Sequence, residues 1–261
     1  PEHVRQYACA GANLFGIGSA LTGLDGDRMR RYMAGLEESV VRPGHGQGFE
    51  RSSESLLTMD YRPARVQSRV NYDDSLFKLV LDRLPEDYAD GDLAGKFYFL
   101  WVPGCGEKPF AVFSAAEKSI VVRSVGEFTR YLATLDSGAE ILLRGPYGSG
   151  VPEIRDSTIV FVGGGTGIAS LLEIAERLRH GNRQVFLLGA RTSAHLFDLD
   201  RFESLGEVIT ATDDGTRGHH GYAPDLIVPA VERLSQADRE RLVFINCGPE
   251  PMVRKCFEIQ R

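Results

Sequence analysis

Residues Phe161-Val-Gly-Gly-Gly-Thr-Gly-Ile-Ala-Ser-Leu-Leu172 decide the fold of the second half of the chain. An apolar run at 158–162 gives way to four glycines within five positions, then to an apolar-periodic stretch at 168–179. That order predicts a buried strand, a tight turn and a helix. Glycines allow a sharp turn and a close approach of backbone to ligand. The first N–H groups of the helix, aided by its dipole, favour an anion such as a pyrophosphate. Gly164, Gly165, Thr166 and Gly167 are therefore candidate binding residues. The spacing departs from G-x-G-x-x-G because position 168 is Ile, and an unliganded strand-to-helix turn also accounts for this segment taken alone.

Outward from the turn, apolar runs at 158–162, 184–188, 208–211 and 242–246 alternate with helical stretches at 168–179 and 225–234. Strands alternating with helices predict a parallel sheet covered on both faces. Cys247-Gly-Pro-Glu-Pro-Met252 follows the last run directly. Ligands of an open parallel sheet sit outside the carboxyl ends of its strands, so this segment and the glycine turn should share one edge. By itself Cys247 reads as a small buried side chain; beside the glycine turn it becomes the candidate catalytic residue.

Upstream, between about 61 and 150, the pattern changes to short runs rich in β-branched and aromatic residues, at 65–70, 76–82, 96–102, 110–115, 119–125 and 139–144. Six such strands with one helical break, near 129–135, predict a small antiparallel barrel. Trp101 alternates with Phe97 and Phe99 and reads as barrel packing. Lys108-Pro-Phe-Ala-Val-Phe-Ser114 lies on a strand. In Val121-Val-Arg-Ser-Val-Gly-Glu-Phe-Thr129 a strand ends at Gly126 and a helix begins. Arg123 and that helix start suit a phosphate by charge and by free N–H groups, although an ordinary strand and capped helix fit as well. Arg144-Gly-Pro-Tyr-Gly-Ser149 closes the barrel with a turn.

The 261 residues are 43% hydrophobic and 25% charged, the make-up of a soluble globular protein. No apolar run approaches the roughly 20 residues of a membrane span, and a net charge of −6 without a dense Lys/Arg block argues against nucleic acid. Cys9, Cys105, Cys247 and Cys256 match neither a zinc site nor a disulfide framework. No metal is expected, since adjacent His219 and His220 on a loop fall short of a ligand set. Without a signal-peptide pattern the expected compartment is the cytoplasm. A chain that does not start with Met is expected to be a fragment or a processed product. Residues 1–41 hold a strand-like run and a helical stretch at 27–36, and 42–60 has linker composition. The expected division is 1–41, 42–60, 61–153 and 154–261.

Five motifs now stand in one order: K/R-P-F-A, V-x-R-x-V-G-x-x-T, R-G-P-Y-G, G-G-G-T-G-I and C-G-P-E-P-M. Over residues 61–256 the chain resembles the ferredoxin–NADP reductase superfamily, and within it the electron-transfer subunit of dihydroorotate dehydrogenase. The resemblance implies a six-stranded antiparallel flavin-binding barrel followed by a parallel-sheet nicotinamide-binding domain. It implies FAD against Lys108, Pro109, Phe110 and Ala111, with the FAD pyrophosphate at Val121, Val122, Arg123, Gly126, Phe128 and Thr129. NAD(H) or NADP(H) would lie on Gly164–Gly167, with Cys247, Gly248 and Pro249 toward the nicotinamide ring and Arg191 near the adenosine ribose.

Ala10-Gly-Ala-Asn-Leu-Phe-Gly-Ile-Gly-Ser-Ala-Leu21 and the helical stretch after it resemble the last βα unit of a dihydroorotate dehydrogenase TIM barrel. Gly18 and Ser19 would then hold an FMN phosphate once the rest of that barrel is present. The implied partner is this catalytic barrel, fused upstream or bound as a subunit. Two departures qualify the match. No C-x₄-C-x₂-C pattern exists, so this chain does not support an iron–sulfur cluster; either it continues beyond Arg261 or the electron route differs. Lys108 stands where Arg is usual, which loses the planar fork. The alternatives are a small NAD(P)H-reductase subunit of a ferredoxin-, sulfide- or hydrogenase-linked complex, and a non-catalytic scaffold of the same fold.

Overall fold

Strand β1 (Arg62–Asn71) turns Ala64 and Val66 inward while Arg62, Arg65 and Gln67 stay exposed. This is the alternation of a sheet with one wet face. β2 (Leu76–Leu81) is buried almost throughout because both its faces are covered. Phe77, Leu79 and Leu81 enter the barrel core, and Leu76 packs into the core shared with the second sheet. The computed structural model describes residues 61–85 and 92–260. The 1–41 unit, with Gly18 and Ser19, and the 42–60 linker lie outside the described residues.

With β3 (Phe97–Val102), β4 (Gly106–Ala111), β5 (Ser119–Arg123) and β6 (Glu140–Tyr147), these strands form an antiparallel sheet in the order β4-β3-β6-β1-β2-β5. A bridge between Ser114 and Ser119 ties the chain leaving β4 to β5, so the two outer strands curl toward each other. Helix α1 (Glu127–Leu132) contributes Phe128 and Leu132 to the barrel core. β4 starts four residues before the run expected at 110–115. Glu107, Lys108 and Pro109 disguise it, and an outer strand tolerates Pro because it has a side with no ladder to complete. On β3, Tyr98, Leu100 and Val102 fill the core. Phe97 and Phe99 turn the other way, toward Tyr147, and the Arg144 guanidinium lies 4.0 Å from the Phe99 ring centre.

The second sheet is parallel, in the order β10-β9-β8-β7-β11. Its strands are β7 (Thr158–Gly164), β8 (Arg183–Ala190), β9 (Glu207–Thr212), β10 (His219–His220) and β11 (Leu242–Cys247). β7 is buried at every position, and alternate side chains feed two cores. Ile159 and Phe161 pack with α2 (Ala169–Arg177) on one face, and Val160 and Val162 with α4 (Ile227–Glu232) on the other. Short α3 (Leu199–Glu203) and α5 (Gln236–Arg239), and α6 (Glu250–Ile259), complete the covering. The periodicity reading missed these three: two have about one turn each, and α6 shows much charge on its wet side. His219 and His220, read as a loop, form a two-residue exposed edge strand. Among the described residues no helix is long and apolar enough to cross a membrane.

The two sheets meet through a polar joint set beside shared aromatic packing. Lys78, only 7% exposed, places its Nζ 2.8 Å from Glu117 and 3.0 Å from Asp198. Arg201 reaches back to Ser114 Oγ at 3.0 Å, and Tyr72 stacks on Phe197 at 5.1 Å between ring centres.

Candidate functional site

β7 and β11 are neighbours in space, yet the chain leaves β7 toward β8 and returns to β11 last. Strand order therefore reverses between them, and such a reversal leaves a crevice at the carboxyl ends. Gly163 pairs with Cys247 in register across that line. A Cβ on Gly167 would come within 2.5 Å of the Cys247 carbonyl oxygen and 2.7 Å of Gly248 Cα. A Cβ on Gly164 would overlap the Met252 sulfur. The glycine turn and the Cys247–Met252 segment thus interlock, although about 80 residues separate them in sequence. Gly165 differs: it takes φ +55°, and nothing lies within 4 Å of where its Cβ would be.

A cavity of about 550 Å³ opens there, within the usual range of small-ligand sites. Gly164, Gly165 and Thr166 line it, with Arg191 at the end of β8 and Pro249 after β11; Arg123 and Leu76 reach it from the barrel. The structure thus brings together six of the residues singled out from sequence. Gly167, Cys247 and Gly248 stand just behind the wall as packing. Burial pushes the Cys247 thiol above its ordinary value, against a weaker opposite effect of the Ser170 hydroxyl. Cys247 is therefore a neutral thiol at pH 7.

Several wall residues carried no signal in the motif reading: His195, Asp213, Tyr222, Asp225 and Lys255. Asp213 comes directly after β9, so reading the first positions after each expected strand would have found it, whereas Tyr222 follows β10, which shows no strand pattern. His195 Nε2 lies 2.7 Å from Asp73 Oδ2 on the β1–β2 hairpin, linking the cavity rim to the barrel. Burial raises the Asp73 carboxyl, but N–H groups of Ser75 and Leu76, each 2.6 Å away, outweigh it and hold the carboxyl below its ordinary value.

The residues implied for flavin gather at another corner of the barrel. Lys108, Pro109, Phe110 and Ala111 are half-buried on β4, and the Phe110 ring lies 6.3 Å from that of Phe128, nearly parallel. Val121, Val122 and Phe128 are buried. Thr129 Oγ1 accepts from the N–H groups of Val125 and Gly126, each at 3.0 Å, and donates to the Gly126 carbonyl. Gly126 offers no side-chain cap to α1. Of this group only Arg123 lines the cavity.

No family model matches the chain. The dihydroorotate dehydrogenase B (NAD+) electron transfer subunit of Pyrococcus horikoshii is 37% identical over 167 residues, covering 63% of this chain and 62% of that protein. The protein of the same name from Thermococcus kodakarensis is 36% identical over 166 residues, covering 63% and 67%. The chain belongs to the family of dihydroorotate dehydrogenase B electron transfer subunits. It spans a little under two thirds of the Pyrococcus relative. In fold this family member is like a ferredoxin NADP+ reductase from Neisseria gonorrhoeae solved with bound FAD and NADP, at a TM-score of 0.62 and 20% identity, covering 77% of this chain and 90% of that one.

The interlocked corner suits the pyrophosphate of a dinucleotide: backbone lines its floor and Arg123, Arg191 and Lys255 stand around it. Among the described residues the guanidinium groups of Arg123 and Arg191 engage no partner. The flavin corner also fits in outline, with half-buried β4 beside an uncapped helix start and a free cation.

Proposed function

We propose that residues 61–153 are an FAD-binding barrel and 154–261 an NAD(P)-binding domain, together moving electrons between NAD(H) and FAD. The module serves oxidation of dihydroorotate to orotate by a cytoplasmic catalytic barrel, fused upstream or bound as a subunit. The interlock of Gly164–Gly167 with Cys247–Met252 around a cavity that Arg123 joins from the barrel carries this reading. It supports a site where a nicotinamide dinucleotide meets a ligand of the barrel, and the family membership supports the dihydroorotate reaction.

In this reading Lys108–Ala111 flank the flavin, and Arg123 with the start of α1 neutralises its pyrophosphate. Gly164–Gly167 seat the dinucleotide, Arg191 borders its adenosine ribose, and Gly248 and Pro249 border the nicotinamide. When bound, the two rings supply hydride transfer, and the protein needs no acid or base for it. The residues orient the rings and exclude water. Cys247, a buried neutral thiol, packs behind the ring rather than acting as a nucleophile. Gly18 and Ser19 would hold FMN in the completed catalytic barrel.

A visible spectrum of the purified chain, before and after anaerobic NADH, tests this. Flavin bands that bleach with NADH are expected. A protein that stays colourless after FAD is added would sink the reading.

A further inference from the structure

Leu76 brings the barrel to the cavity wall, and its partner across the β2–β5 pairing is Arg123, the cation of the same wall. The Asp73 carboxylate builds the turn that presents them. Its Oδ1 accepts the N–H groups of Ser75 and Leu76, each at 2.6 Å, and the Ser75 hydroxyl at 3.1 Å. The Ser75 carbonyl in turn accepts the Ser124 N–H at 2.6 Å, directly after Arg123. One carboxylate oxygen thus fixes the barrel's side of the cavity.

The other oxygen faces the sheet's side. His195 lines the cavity after β8, and its Nε2 lies 2.7 Å from Asp73 Oδ2. Nε2 is buried and makes no aligned hydrogen bond among the described residues, so the carboxylate meets it as a charge rather than as a directed acceptor. Nδ1 lies 3.2 Å from the Thr192 hydroxyl, which holds the ring from behind. Alongside, Tyr72 stacks on Phe197, and Lys78 reaches Asp198 at 3.0 Å. The β1–β2 hairpin and residues 195–198 therefore clasp barrel to sheet, and Asp73–His195 is the contact that includes a cavity residue.

Resting on the reductase reading above, we propose that Asp73 and His195 are positioning residues for hydride transfer: their contact holds the nicotinamide half of the site at reacting distance from the flavin half. Neither touches a reacting atom. A displacement of about 1 Å in such a step costs about a hundredfold in rate. Dinucleotide affinity, in contrast, rests on the glycine turn and the cations around it. A loosened clasp should slow the step and spare the affinity.

Asp73→Asn keeps an oxygen for the turn and removes the charge facing His195. Asp82→Asn is its control, since this carboxylate also serves the hairpin, accepting the Arg65 N–H at 2.8 Å, but at the far end of β2. Hydrogen–deuterium exchange of the purified chain, without added cofactor, should quicken at 72–76 and 193–198 in Asp73→Asn and stay unchanged there in Asp82→Asn. In the FAD-loaded chain, one hydride passing from NADH to FAD leaves NAD+ and reduced flavin, and stopped-flow bleaching follows it. Asp73→Asn should slow this step about tenfold, with calorimetric NAD+ affinity held within about twofold. The long-wavelength absorbance of stacked flavin and nicotinamide should weaken with it. His195→Ala should slow the step similarly, and the double variant no further, because both break one contact.

Unchanged exchange at 193–198, an unslowed step, equal slowing by Asp82→Asn, or a loss confined to affinity would overturn the assignment while leaving the reductase reading intact. A wild type that takes up no FAD and does not bleach would overturn that reading and the positioning role with it, whatever exchange shows of the clasp.

Discussion

The two corners that meet at the cavity are built differently. The corner on the parallel sheet is made of backbone: Gly164, Gly165 and Gly167 face outward or pack because β7 and β11 pair in register. The corner on the barrel is made of side chains. Phe110 lies against Phe128, and the Thr129 hydroxyl is spent on the turn before α1. Topology alone opens the first. The second presents one cation, Arg123, to the cavity and keeps the rest of its motif in packing.

The largest effect should come from breaking the backbone-built corner. Gly167→Val puts a branched side chain where even a Cβ would meet the Cys247 carbonyl and Gly248 Cα. Both are backbone atoms that cannot step aside, so the cost is expected to reach about 3 kcal/mol. Urea unfolding measures this, and dinucleotide binding should vanish with it. Gly165→Ala is the counterpart: there is space, but φ +55° should cost about 1–2 kcal/mol and leave the fold intact. Equal stability of the two variants would refute the interlock.

The same contrast explains what the sequence disclosed. The glycine turn and the Cys247–Met252 segment were legible because backbone-built sites leave glycines at fixed offsets from apolar strands. Nine strands lie close to their expected runs for the same reason, since burial writes a clear apolar pattern. β4 was misplaced because Glu107, Lys108 and Pro109 carry no such pattern. Tyr222 and Lys255 were invisible because nothing local marks them: they reach the cavity through strand order, which only the folded sheet supplies. The opposed orientation of Phe99 and Tyr98 on β3 was hidden too, because a run of aromatics has no polar face to fix its phase.

Arg123→Ala should sharpen the comparison on the barrel side. Its guanidinium engages no described residue, so stability should change by less than about 0.5 kcal/mol. A lost charge-assisted bond to phosphate is worth about 1.5–3 kcal/mol, so FAD affinity should fall roughly tenfold to a hundredfold by fluorescence titration. Unchanged affinity would mean that Arg123 serves the dinucleotide rather than the flavin.

The smallest effects lie at the joint, where two acids should tilt stability in opposite directions. Asp73 titrates below its ordinary value of 3.8, because the Ser75 and Leu76 N–H groups overcome its burial. Its contribution is present above pH 3.8 and is lost as pH falls through the lower, folded value. Glu173 is pushed above 4.5 by burial, although the Ala115 N–H at 2.6 Å opposes the rise. Its contribution is complete below pH 4.5 and is lost as pH rises through the folded value. Both Asp73→Asn and Glu173→Gln keep an acceptor for the N–H groups and remove only the titration. In urea melts across this range, Asp73→Asn should flatten the acid limb, and Glu173→Gln should remove a decline above pH 4.5. If both variants bend the curve the same way, the two carboxylates do not sit in the contrasting environments that join barrel to sheet.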